Sequence, residues 1–503
     1  MPVNLISSFK FQKKQNWITE FFRFNTPGFE KLLRTQGESF WKRAGEKRAL
    51  TVFHEAARRV PAYKDFLKKN KINPQKIKTV GDFSHVPHTD KKNYVSSYPI
   101  HKRCWDEKLS ESSLVAMSSG TSGEPNFWPR DGYQEFEAAI IHETIYRNFF
   151  QINKYKTLLV IGFPMGVYVS GLATTLPSWL VAQKNNLTII TAGNNKTEVL
   201  RTVRNLRQNY EQIILVGHPF FIKDIIETGT ENGMRWDKKR LRMMFCSEGF
   251  NEQWRDYLLK KAGIKAGRSA ILSTYGSSEM LLMAHETPQS IKYRQILESD
   301  PALSNEIFGR PLTPNLFQFN PLLRHITSEG GELIFTAASG TPLIRFNLHD
   351  SGKIIPYEDM KNRLGKKISA NDGWQLPFLA LYGRSDYTVI LYAANIYPEH
   401  IHSALNHRPF LNKITGKFAM RKGYLKNMDE YLEINIELKT GIKSGHELSK
   451  QIQSKIYEKL KDINMEFRDA SMKFPKNTVP KIVLHSYQDP KYFKPGLKPR
   501  YIV

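Results

Sequence analysis

The chain has 503 residues, 40% of them hydrophobic, which is enough to bury a large core in two or three domains and excludes a disordered tail protein. Lysine and arginine number 74 against 48 acidic residues, a formal net charge of +26. Such a charge should attract anions, nucleic acid, acidic protein or a membrane surface, but it is spread diffusely and no nucleic-acid module accompanies it, so a solvated basic surface is the expectation and a nucleic-acid partner is not. With only Cys104 and Cys246 there is no disulfide framework and no four-cysteine metal site, which fits a reducing, cytoplasmic setting.

From the N-terminus, Lys10, Lys13 and Lys14 interrupt the first apolar stretch, so no secretory signal peptide is expected. Trp17, Ile18, Phe21, Phe22 and Phe24 beside Arg23 have the make-up of an interfacial helix or of one docked on the protein body, with docking the expectation. Phe29 to Arg59 has the charge density and apolar spacing of one or two helices ending before Pro61, and Val80 to Pro87 reads as a short capped segment.

Val115 to Arg130, VAMSSGTSGEPNFWPR, follows an apolar run, Leu114 to Met117, with a cluster of small and hydroxylated residues that Pro125 ends. Glycines let a backbone approach a ligand closely, and successive N–H groups with hydroxyls between them form a nest for anions. The stretch is neither a Walker loop nor a dinucleotide fingerprint.

Asp131 to Phe150 is helical in pattern. Thr157 to Phe163, Asn186 to Gly193 and Gln212 to Pro219 read as buried strands, with helical patterns at Lys196 to Tyr210 and Phe221 to Asn232. Thr157 to Gln183 carries no charge, but Gly162, Pro164, Gly166, Gly171 and Pro177 suit a buried strand, a glycine-rich loop and a covered segment better than a transmembrane segment. Arg242 to Phe250 and Ala270 to Thr274 add two strands, and the alternation of strand and helix predicts a parallel sheet covered on both faces. Further on, Gly330 to Ala337, Gly352 to Ile355 and Tyr387 to Tyr392 alternate as strands of a smaller β-rich subregion. After Asp386, Tyr431 to Leu438 reads as a strand and Glu447 to Leu460 as an amphipathic helix.

Four motifs, in order, carry a resemblance to the adenylate-forming superfamily, specifically its phenylacetate–CoA ligase-like branch. Ser118-Ser119-Gly120-Thr121-Ser122-Gly123 resembles the branch's SSGTTGxP phosphate loop, and Tyr275-Gly276-Ser277-Ser278-Glu279 its YGxSE. Leu343 to Phe346 with Asp350 resembles PxIRYRxxD, and Gly383-Arg384-Ser385-Asp386 the GRxDD hinge. The resemblance runs from about Val60 to the C-terminus. It implies an α/β fold with a large N-terminal domain, residues 1–382, of mainly parallel sheets covered by helices plus a β-rich subregion, and a small mobile α+β domain, residues 383–503.

The resemblance also implies roles for particular residues. Ser118 to Gly123 would cradle phosphates, and Ser247 and Glu248 stand where the branch's GAEP loop borders the base, although the usual proline is missing. Tyr275 and Gly276 would lie against adenine, Ser278 would turn a hydroxyl to the α-phosphate, and Glu279 would ligate Mg²⁺. Asp350 would take the ribose hydroxyls and Arg384 ribose or phosphate. Each has a plainer alternative: a core tyrosine for Tyr275, a helix N-terminal carboxylate for Glu279, a turn residue for Asp350 and a hinge salt bridge for Arg384. Arg345 is open between phosphate contact and structure, with structure preferred. The superfamily's catalytic lysine matches Lys498 best, with Lys481 as competitor. Glu124 and Asn126 stand where relatives carry a lysine, so one phosphate cation is expected to be missing. Phe163, Met165 and Tyr168 suggest an apolar or aromatic wall for the acid.

The function implied is an ATP-dependent ligase that activates a small carboxylic acid as an acyl-adenylate and passes it to a thiol, CoA first. A carrier-protein phosphopantetheine or an amine is the alternative acceptor, and a degenerate, non-catalytic relative that binds nucleotide or nucleic acid the alternative class. Oligomeric state is left open, a homodimer included.

Overall fold

The computed structural model describes residues 17–112, 114–118, 126–166, 169–238, 240–309, 313–368, 373–384, 388–405 and 408–493. They divide into two compact units, one running to Ser118 and from Phe127 to Gly383, the other from Arg384 onward.

In the first unit, β1 (Leu114–Ser118) and β2 (Asn126–Arg130) form a small two-stranded sheet. The remaining strands are β3 (Thr157–Gly162), β4 (Leu187–Ile190), β5 (Gln212–Gly217), β6 (Arg240–Phe245), β7 (Ile271–Ser277), β8 (Leu281–His285), β9 (Asn315–Gln318), β10 (His325–Glu329), β11 (Glu332–Ala337), β12 (Leu343–Ile355) and β13 (Phe378–Arg384). They make one sheet of eleven strands in the order β10-β11-β12-β13-β9-β8-β7-β6-β5-β3-β4.

One half of that sheet, β4-β3-β5-β6-β7, is parallel. Helices Val169–Ala182, Lys196–Leu206, Pro219–Glu231 and Glu252–Lys261 make its crossovers. Every residue of β3 and β5 is buried, because a strand covered by helices on both faces has no solvent side and reads as an unbroken apolar run. The other half is antiparallel wherever its register is defined, and β7 joins the two with β6 parallel on one edge and β8 antiparallel on the other. The α/β class expected from sequence holds. Of the β-rich subregion, Gly330 to Ala337 and Gly352 to Ile355 supply β11 and the end of β12, which continue the parallel sheet, whereas the strand within Tyr387 to Tyr392 belongs to the second unit.

The long strand β12 departs from expectation. Only Gly352 to Ile355 reads as strand in sequence, yet it spans Leu343–Ile355 and carries the whole Leu343 to Asp350 motif. Arg345 at φ 47 and His349 at φ 61 bend it locally into the left-handed region. Asp350 is therefore a strand residue, not a turn residue.

The N-terminal aromatic segment docks onto the body. Trp17 of helix Trp17–Arg23 packs edge-on against Tyr133 with ring centroids 4.6 Å apart, and Phe21 and Phe24 are buried. Ile18 and Phe22 stay exposed. The uncharged stretch becomes β3 and helix Val169–Ala182, and no described helix is long and apolar enough to cross a membrane.

In the second unit β14 (Val389–Leu391) and β15 (Ala394–Ile396) form a hairpin. A three-stranded sheet follows, made of β16 (Ile414–Tyr424), β17 (Glu430–Leu438) and β18 (Lys481–His485). Leu432, Ile434 and Ile436 of β17, Ile452, Ile456 and Leu460 of helix His446–Ile463, and Phe467 are all buried, which gives this unit its own apolar core.

Candidate active site

The β7–β8 hairpin is the centre of the site. Tyr275, Gly276 and Ser277 are the last residues of β7, and Ser278 and Glu279 make the turn into β8. The motif thus lies partly within the strand instead of beyond it, and Glu279 is a hairpin residue, not the first carboxylate of a helix. A Cβ at Gly276 would stand 2.8 Å from the carbonyl oxygen of Leu281, so the hairpin closes this tightly only with glycine there. The Ser277 hydroxyl accepts from the Met280 N–H at 3.3 Å and pins the turn.

Glu279 is buried, and its Oε1 lies 3.0 Å from Lys91 Nζ. Burial pushes its carboxyl up, but the Lys91 ammonium, with hydrogen bonds from the turn backbone and Ser277, more than reverses this and holds it below the usual glutamate range. The result is a buried carboxylate that stays ionised at neutral pH. Lys91 opens the short helix Lys91–Val95, which Asp90 caps by accepting from the Asn93 N–H at 2.6 Å. Sequence reasoning missed Lys91. The Asp-x-x-Asn spacing signals a capped helix start, but nothing local to residues 89–93 points to a partner at Glu279.

Tyr275 donates its hydroxyl hydrogen to Asp350 Oδ2, joining the hairpin to β12. Its ring stacks on Phe317 at 6.0 Å and is 8% exposed, so the tyrosine fixes Asp350 more than it offers an open face. Asp350 is itself buried.

Ser118 ends β1, and its Oγ accepts from Trp128 Nε1 at 2.8 Å, holding together the base of the predicted phosphate loop. Trp128 meets the Phe346 ring of β12 edge-on, and Ala116 of β1 packs in one cluster with Leu281 of β8. The start of the loop therefore shares a neighbourhood with Glu279 and Asp350. Ser119, Gly120, Thr121, Ser122 and Gly123 lie outside the described residues.

Ser247 and Glu248 follow β6. Met243–Phe245 runs parallel to Ile271–Ser273, so the loops after β6 and β7 emerge at the same end of the sheet, where open α/β sheets place ligands. Ser247 has φ 78, a strained conformation for a residue with a side chain. Burial pushes the neighbouring Cys246 thiol up against hydrogen bonds from Thr274 and from the backbone of Ser247 and Gly276. Glu248 is buried.

Of the other sequence candidates, Arg345 is occupied structurally: its guanidinium pairs with Glu329 at 2.7 Å. Arg384 ends β13, and its side chain, like Ser385, Asp386, Tyr168 and Lys498, lies outside the described residues. Lys481 opens β18 in the second unit; its side chain is 62% exposed, but its ammonium lies 3.0 Å from the buried carboxylate of Glu433. Phe163 is buried and Met165 half-buried in the loop after β3. A Cβ at Gly171 would come 2.2 Å from the Pro164 carbonyl oxygen, so that loop lies directly on the helix Val169–Ala182.

No family model matches the chain. Over 401 residues it is 21% identical to a phenylacetate-coenzyme A ligase of Aromatoleum evansii, covering 76% of this chain and 79% of that protein. Among solved structures it is similar to 2-hydroxyisobutyryl-CoA ligase in complex with 2-HIB-AMP and CoA in the thioesterification state, with TM-score 0.63 and 16% identity over 94% of this chain and 91% of that one. An open conformation of the same ligase gives TM-score 0.54 and 15% identity over 92% and 91%. The chain thus has the fold of 2-hydroxyisobutyryl-CoA ligase and is similar in sequence to a phenylacetate-coenzyme A ligase.

Proposed function

We propose that the chain is an AMP-forming acid–thiol ligase: it joins a small carboxylic acid to the α-phosphorus of ATP with release of pyrophosphate, and a thiol then displaces AMP. CoA is the thiol. The observation that carries this reading is the juxtaposition, around one hairpin, of a buried ionised carboxylate with its lysine, Glu279 and Lys91, and of Tyr275 with Asp350.

Attack of a carboxylate on a triphosphate asks the protein mainly to hold two anions in line and to neutralise charge as pyrophosphate leaves. Ser118 and the loop after it would hold phosphate oxygens, Asp350 the ribose, and the Ser247–Glu248 loop the base. Lys91 supplies a cation beside Glu279, so the lysine expected to be lost at Glu124 and Asn126 has a replacement from another segment. Mg²⁺ commonly binds through one or two carboxylates plus substrate phosphates, and an ionised, buried Glu279 fits that donor set; the ion would neutralise phosphate charge. No group of three metal-ligating side chains occurs among the described residues, which argues against an all-protein metal cage.

In the same reading, residues 1–382 form the adenylating domain and 383–503 a mobile lid that brings Lys498 to the transition state. The engagement of Lys481 with Glu433 favours Lys498 over it. The buried Phe163 and half-buried Met165 suit an aromatic or apolar acid, and the two free cysteines suit the cytoplasm.

The test is acid-dependent ATP–pyrophosphate exchange across a panel of aromatic and aliphatic acids, with mass spectrometry of AMP and acyl products in the presence of CoA. Exchange that falls about 100- to 1000-fold in Lys498→Ala is expected for loss of one preorganised cation. Nucleotide binding without exchange for any acid would assign the chain to a non-catalytic class, and acyl transfer to a carrier protein but not to CoA would reassign the acceptor.

A further inference from the structure

Lys91 belongs to none of the motifs, yet it stands on the one buried carboxylate of the β7–β8 turn. What puts it there is a set of bonds between the segment before it and β12. Thr89 forms an isolated parallel bridge with Phe346: its N–H donates to the Arg345 carbonyl at 3.1 Å, and its carbonyl accepts from the Asn347 N–H at 2.8 Å. The Thr89 hydroxyl donates to the Ile344 carbonyl at 2.8 Å.

Arg345 completes the attachment. Its Nε donates to the Val86 carbonyl at 2.6 Å, and its Nη1 and Nη2 fork onto the two oxygens of Glu329 at 2.9 and 2.7 Å. Nη2 also lies 2.8 Å from His88 Nε2, which is 3.0 Å from Glu329. The guanidinium is buried, sits over the Phe83 ring, and is reached by a backbone at φ 47, a conformation that a side-chain-bearing residue adopts only when its surroundings hold it there. Val86, His88 and Thr89 are thus tied to β12 immediately before Asp90 and Lys91.

We infer that Arg345 is a positioning residue for acid activation: it ties residues 86–89 to β12 so that Lys91 meets Glu279, while the same strand, five positions on, carries Asp350 to Tyr275. One strand thereby sets the register of both the phosphate end and the ribose end of the site. A lysine could not do this, since one ammonium cannot serve a backbone carbonyl and both carboxylate oxygens in a planar fork. The inference rests on the ligase reading for its kinetic consequence but not for its structural one.

The experiment therefore has two readouts. Reductive methylation of the folded protein, followed by mass spectrometry, reports how well Lys91 is protected, with Lys196 of the parallel half as internal control. Arg345→Gln and Thr89→Val are expected to raise Lys91 labelling, on the order of tenfold for Arg345→Gln, and to leave Lys196 unchanged. In acid-dependent exchange, Arg345→Gln is expected to lower kcat by roughly 10- to 100-fold with a far smaller change in KM for ATP, and Lys91→Met added to it is expected to cost little more.

Unchanged Lys91 labelling in both variants would overturn the assignment, as would full additivity of Arg345→Gln and Lys91→Met. If Arg345→Gln does not fold, Arg345→Lys, which keeps the charge but not the planar fork, decides by labelling alone. Labelling that responds in a protein with no acid-dependent exchange would uphold the attachment and sink the ligase reading instead.

Discussion

Glu279 shows how a single side chain's charge is decided by a neighbour far along the sequence. Burial pushes its carboxyl up; Lys91, with hydrogen bonds from the turn backbone and Ser277, holds it below the usual range. A group depressed in this way stabilises the fold above its unfolded pKa and loses that contribution as pH falls through the folded value. In Lys91→Met the main influence against burial is gone and only the hydrogen bonds from the turn backbone and Ser277 remain, so the carboxyl is expected to rise and its contribution to stability to fall. The variant is expected to lose about 1–3 kcal/mol at pH 7 and to regain part of it as the pH is lowered, with the acid limb of its activity displaced upward. Urea midpoints measured against pH, with Glu279→Gln in the same background restoring stability at pH 7, check this. The motifs made Glu279, Tyr275 and Asp350 visible in the sequence. They did not show that Tyr275 spends its hydroxyl on Asp350 or that Lys91 faces Glu279, because both pairings are set by which strands lie side by side.

Legibility differed sharply between elements. Strands β3 and β5 could be read because each is an apolar run ending at glycine, with no solvent face to interrupt it. Most of β12 could not, because Arg345, Asn347, His349 and Asp350 break any apolar pattern, and two of its residues adopt left-handed angles that no strand template contains. The four-residue β9, Asn-Leu-Phe-Gln, lacks the run of β-branched and apolar residues that made the equally short β4 readable. The loop after β3 and the helix Val169–Ala182 were legible as glycine punctuation, and the geometry gives Gly171 a definite purpose. In Gly171→Ala the new methyl group meets the Pro164 carbonyl and Met165 Sδ, 2.2 and 2.6 Å away, so loop and helix must separate. A loss of about 1–3 kcal/mol is expected from overpacking, and the displaced Phe163–Met165 wall should raise KM for the acid more than KM for ATP. Thermal unfolding and a two-substrate kinetic comparison measure the two effects.

For the whole molecule, three histidines, His142 and His285 buried and His325 half-buried, work against the first unit in acid. Burial pushes His142, His285 and His325 down to about 4 from an ordinary 6.5. The unfolded chain therefore takes up protons that the folded unit refuses; Asp131, whose carboxyl burial raises to about 6, works the other way, but with three histidines against it stability should decline as pH drops from 6.5 toward 4. Denaturant midpoints measured over that interval should fall steadily, and His142→Gln should flatten the slope by up to one proton's worth. Class and order of elements were readable at this scale. The merging of two expected sheets into one was not, because the register at β7 depends on Gly276 closing the hairpin. With β6 on one edge and β8 on the other, β7 is a shared seam. A slip of one residue would turn Tyr275 to the opposite face and misalign both halves together. Refolding should therefore show no population that is half assembled yet partly active: recovery of native signal and of turnover should rise as a single curve.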